Sequence, residues 1–97
     1  MTAYVIFLRE GPIKDADAMA QYRSGNRDPS QYHLKSLAVY GKQEALEGAA
    51  PDGVVVLEFP TVEDARAWYY SPEYQEAAKH RQRAADYRGI IVEGFKP

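Results

Sequence analysis

Cysteine is missing from all 97 residues, which removes disulfides, thiolate nucleophiles and every zinc site built on sulfur. A chain without cysteine suits a reducing compartment, and a cytoplasmic location is the expectation. No apolar run approaches the roughly 20 residues that a membrane span needs. Met1-Thr2-Ala3-Tyr4 enters the first apolar stretch with no basic leader or cleavage site. Neither sign of charge dominates: 12 Lys and Arg stand against 14 Asp and Glu, a net charge of −2, with the two signs interleaved. That balance gives no footprint for a nucleic-acid backbone or an anionic membrane surface, so no nucleic acid and no membrane partner are expected. Histidine supplies His33 and His80 alone, far apart, without an H-E-x-x-H motif. Gly41 and Gly48 lack the spacing and the lysine-serine ending of a phosphate loop. No metal and no cofactor are expected.

Apolar residues make up 45% and charged residues 27% of the chain, the balance of a compact domain rather than a disordered one. The length suits one domain over residues 1–97. A chain this short buries only about two-thirds of its unfolded surface, which makes burial against a partner subunit attractive.

The run AYVIFL, Ala3 to Leu8, is too short for a helix and predicts a first strand, closed by Glu10-Gly11-Pro12. Asp15 is placed to cap a helix carrying Ala18, Met19 and Tyr22, with Gly25-Asn26 and Pro29 as its stop. Leu34 to Tyr40 reads as a second strand and Val54 to Phe59 as a third, joined in a long-looped hairpin through Pro51-Asp52-Gly53. Thr61 with Asp64 forms a capping pattern ahead of Val62, Ala65, Trp68 and Tyr69. Ser71-Pro72-Glu73 then restarts the helix after a bend, serine capping and proline taking the first helical position. Beyond the bend Tyr74, Ala77, Ala78, Arg81 and Ala85 share one face. Gly89 leads into a last strand, Ile90 to Phe95. The order is β-α-β-β-α-β, an α+β, ferredoxin-like arrangement with an antiparallel sheet.

Helices in that arrangement cover one sheet face, so a lone monomer alternates apolar and polar residues along its strands. Here Tyr4, Ile6 and Leu8 oppose Ala3, Val5 and Phe7, and Val54 and Val56 oppose Val55, Leu57 and Phe59. Both faces need cover, and a second copy of the sheet supplies the second one most economically. A homodimer is the expectation.

The stretch Val56-Leu57-Glu58-Phe59-Pro60-Thr61, then Glu63, Ala65, Trp68-Tyr69, Ser71-Pro72-Glu73-Tyr74-Gln75, Arg81, Ala84-Ala85 and Val92-Glu93-Gly94, resembles the domain-of-unknown-function family 1330. Asp15, Tyr22 and Leu46-Glu47-Gly48 extend the likeness over nearly the whole chain. The resemblance implies a dimeric α/β barrel, a superfold that hosts cofactor-free monooxygenases, muconolactone isomerases, haem peroxidases and pure binding modules. Around the second strand the family tends to carry a basic residue before paired glycines, where this chain has Val39-Tyr40-Gly41-Lys42.

Arg81 interrupts a stripe of alanine and tyrosine, so its guanidinium must find an acceptor or reach water. A structural partner such as Glu58 or Glu93 is one reading. The other is a ligand carboxylate gripped at a cavity mouth, with Ser71 and Tyr74 as neighbouring hydrogen-bonding groups. Tyr22, Tyr40, Trp68 and Tyr74 are placed to line a pocket for a flat molecule, or else to fill the core. His33, at the start of strand two, is the candidate catalytic base, and a plain surface histidine otherwise. Two functions follow: a cofactor-free enzyme acting on a small acidic or aromatic metabolite, and a non-catalytic small-molecule-binding or protein-interaction module.

Overall fold

Four strands and three α-helices account for most of the chain in the computed structural model, which describes residues 1–24 and 29–95. β1 spans Ala3–Arg9, α1 Ala16–Ser24, β2 Lys35–Val39, β3 Gly53–Phe59, α2 Val62–Tyr69, α3 Pro72–Ala84 and β4 Tyr87–Glu93, with a short 3-10 helix at Pro29–Tyr32. The sheet order is β2-β3-β1-β4, and every neighbouring pair is antiparallel. This is the ferredoxin-like fold. The expected stop of α1 at Gly25-Asn26 lies outside the described residues.

Each helix begins where a short polar side chain occupies an orphan amide. Asp15 Oδ1 accepts from Ala18 N at 3.0 Å, and Thr61 Oγ1 accepts from Asp64 N at 3.0 Å. The bend between α2 and α3 is built on Ser71, whose hydroxyl accepts from Tyr74 N at 3.2 Å and donates to the Trp68 carbonyl at 2.7 Å. Pro72 follows in the first turn, where its missing N–H costs nothing.

Alternation along the strands divides the sheet. Ala3, Val5, Phe7, Val55, Leu57 and Phe59 are buried beneath the helices, together with Trp68, Tyr74 and Ala78 from α2 and α3. On the other face Ala38, Val56, Ile6 and Ile90 stand in register across all four strands. Ile90 is 56% exposed there, and no element of the chain covers this row among the described residues.

The last strand starts three residues before its expected beginning at Ile90 and stops two short of Phe95. Tyr87, Arg88 and Gly89 pair with Arg9, Leu8 and Phe7 of β1. Gly89 is thus an interior strand residue, and its missing side chain makes room for a ring: a Cβ there would lie 2.8 Å from Phe7 Cδ1 and Cε1. Gly94 N donates to the Thr2 carbonyl at 2.7 Å and closes the pairing, which leaves Phe95 92% exposed.

Candidate functional site

α3 lays Tyr74, Ala77, Ala78, Arg81 and Ala84 along its buried side. The alanines keep that side thin, so the long stem of Arg81 can reach down to the sheet. Its guanidinium carbon lies over two rings, 4.4 Å from the Phe7 centroid and 4.9 Å from that of Tyr87. Arg81 is only 4% exposed. Among the described residues no carboxylate pairs with it, and its Nε has no hydrogen-bond partner. A buried cation normally requires a partner, since desolvation costs several kcal/mol. The two glutamates expected as structural partners stand elsewhere: Glu58 pairs with Tyr4 on the open face, and Glu93 lies at the far end of β4.

Tyr74 sits beneath, its hydroxyl 3.1 Å from that of Tyr22. Burial pushes the Tyr74 phenol well above its ordinary pKa, with Arg81 pulling the opposite way. Tyr40 follows β2 directly and lies in the left-handed region, at φ 55. That backbone conformation is unfavourable for a bulky residue. The ring it aims lies over Gly53, where a Cβ would meet Tyr40 Cδ1 at 2.7 Å. The hydroxyl of Tyr40 reaches that of Tyr87 at 2.5 Å, and the Arg9 guanidinium carbon lies 5.7 Å from the Tyr40 centroid. Burial first, and the bond to Tyr87 second, raise the Tyr40 phenol above its ordinary range.

Two clefts open on either side of Arg81 and Phe7, which line both. The first, about 580 Å³, runs over β2 and β3; Tyr22, Tyr40, Trp68 and Phe7 form its aromatic walls, and Arg23 and Arg81 are its charged residues. The second, about 750 Å³, runs between the helices and β4, with Arg66, Tyr70, Gln82, Tyr87 and Glu93 among its walls. Tyr40 lines the first and Tyr87 the second, so their hydroxyl contact, together with Arg81 and Phe7, forms the partition. Among the described residues no group of His, Asp and Glu side chains is arranged to hold a metal ion, and no helix is long and apolar enough to cross a membrane.

The family model described as a domain of unknown function (DUF1330) matches residues 2–95. The chain belongs to this family. Among solved structures, a protein of unknown function from Rhodopseudomonas palustris superposes with a TM-score of 0.70 at 26% identity, covering 99% of this chain and 84% of that one. A Bacteroides fragilis protein, described as dimeric, of unknown function and ferredoxin-like, gives 0.60 at 14% identity, with 96% of each chain covered. An ethyl tert-butyl ether D (EthD) family protein from Bacillus halodurans gives 0.59 at 17% identity, over 98% and 100% of the two chains. The latter two likenesses are of fold alone. No curated protein matches.

Of the residues singled out in this DUF1330 chain, Tyr22, Tyr40, Trp68 and Arg81 meet at the aromatic cleft. Tyr74 and Ser71 do not line either cleft: the first is closed into the core and the second is spent on capping α3. His33 is exposed in the turn before β2, at φ 59, and lines neither cleft. Phe7, Arg23 and Tyr87 were not foreseen. For Phe7 the signal was Gly89, since a glycine inside a strand marks a close approach by a neighbour; no local pattern marks Arg23 or Tyr87.

Proposed function

We propose that this DUF1330 chain is a homodimeric receptor for small aromatic carboxylates, held in the aromatic cleft with the acid group on Arg81. The observation that carries the reading is the Arg81 guanidinium, buried and paired with no carboxylate among the described residues, at the edge of a cleft with four aromatic walls. The Phe7 and Tyr87 rings contact the guanidinium through their π faces, and N–H groups that they do not engage can meet a planar, forked acceptor. Arg23 adds a second positive charge, and no acidic residue or histidine lines this cleft among the described residues.

Those same walls favour a receptor over a catalyst. Proton-transfer chemistry needs an acceptor poised near neutral pH, and Tyr40, raised above its ordinary pKa, keeps its proton there. The test is a titration with benzoate and its larger ring analogues, followed through the emission of Trp68, the single tryptophan. Micromolar to millimolar saturation is expected for wild type. Arg81→Gln should lose at least tenfold in affinity, as a charge-assisted hydrogen bond of about 1.5–3 kcal/mol requires. An unchanged affinity in a folded Arg81→Gln protein sinks the reading.

Dimerisation rests on the open sheet face. The chain exposes 6491 Å², where a folded monomer of 10.9 kDa typically exposes about 5,600 Å². That excess is spread over the chain, the exposed stretch from Gly41 to Ala50 included, and on the sheet face itself Ile90 is 56% exposed. The Bacteroides fragilis relative in fold is described as dimeric. A monomeric mass at micromolar concentration contradicts this part of the reading.

A further inference from the structure

Arg81 is one cation placed between two cavities. We propose that the cleft beside β4 is a second anion site, for compact polar carboxylates, and that it excludes ligand from the aromatic cleft because both need the same guanidinium. This rests on Arg81 being the acid-binding group of the aromatic cleft.

The walls of the two clefts differ in the ligand they suit. Beside β4, Arg66 and Gln82 from the helices and the Tyr70 side chain supply polar groups where the other cleft has Trp68 and Tyr22. Two acids also line it, and neither neutralises Arg81. Asp86 is engaged by Lys14, at 2.8 Å. Glu93 stands four residues along β4 from Gly89, about 13 Å away in an extended strand, whereas Arg81 stacks on Phe7, the β1 residue paired with Gly89. On this side as well a second cation, Arg66, lines the cleft together with Arg81. With two rings packed on it and Tyr74 accepting a hydrogen bond from it, the guanidinium has little donor edge left for ligands. Two carboxylates cannot share that edge without like-charge repulsion in a poorly solvated place.

The experiment titrates benzoate into wild type at several malonate concentrations, with ionic strength held constant by sodium chloride, and repeats the series with Arg66→Ala. Arg66 is exposed and lines the second cleft alone. The expected result is an apparent benzoate Kd that rises in proportion to malonate, by tenfold or more at saturation. In Arg66→Ala the malonate concentration needed for the same rise should increase at least threefold, while the benzoate Kd without malonate stays the same. A benzoate Kd indifferent to malonate overturns the inference and leaves the receptor reading intact. So does equal competition in the Arg66→Ala protein, since malonate then enters the aromatic cleft itself. If benzoate binds neither protein, the receptor reading fails and this inference falls with it.

Discussion

At Gly89 and Gly53 the place of a β-carbon is taken by an aromatic ring. Adding one methyl group at either position forces the ring to move, and overpacking of this kind costs about 1–3 kcal/mol. The two sites should not respond equally. Phe7 is buried, held between the Arg81 guanidinium at 4.4 Å and Trp68 at 6.5 Å, whereas Tyr40 is half-buried and can swing toward solvent at the loss of its bond to Tyr87. Gly89→Ala should therefore lower the urea midpoint more than Gly53→Ala. The two raised tyrosines give a pH dependence of known sign. Burial lifts the folded pKa of Tyr40 and Tyr74 above the ordinary 10.0, so their contribution to stability is fully present below about pH 10 and is lost as pH rises above it. Urea melts between pH 8 and pH 11.5 should show a plateau and then a fall, and the fall should be shallower in Tyr40→Phe. At this scale Arg81 was legible because a cation on an alanine stripe is anomalous in one dimension. Phe7 and Tyr87 were not, because only sheet order brings β1 and β4 under α3.

The helices depend on their caps to different degrees. Thr61 makes one capping bond, while Ser71 makes two in a buried position, joining the end of α2 to the start of α3. Removing the Thr61 hydroxyl should cost about 1 kcal/mol. Ser71→Ala should cost more, about 2 kcal/mol, because the Tyr74 amide is left buried without its partner. Thermal melts followed by circular dichroism check the order. Both caps were readable from sequence, as was β3, since caps and β-branched runs are local patterns. The limits of β4 were not local. Tyr87 and Arg88 are strand because Arg9 and Leu8 lie opposite, and from sequence Gly89 only leads into the strand because nothing nearby announces the Phe7 ring.

The described chain measures 37 × 36 × 17 Å between its Cα extremes, a slab of one sheet and one helical layer. The row Ala38–Val56–Ile6–Ile90 runs through the middle of the uncovered face. A charge at its centre would be buried in the pair and hydrated in the monomer. Ile6→Glu should therefore halve the mass seen by light scattering while leaving the helical circular dichroism in place; an unchanged mass would show that this face is not the contact.

In the proposed dimer the slab draws part of its stability from the second copy. Folding and pairing then obey one mass-action law, and each tenfold dilution removes about 1.4 kcal/mol per mole of pairs. The melting temperature becomes a measure of how much protein is present, rising with concentration in wild type and flat in Ile6→Glu.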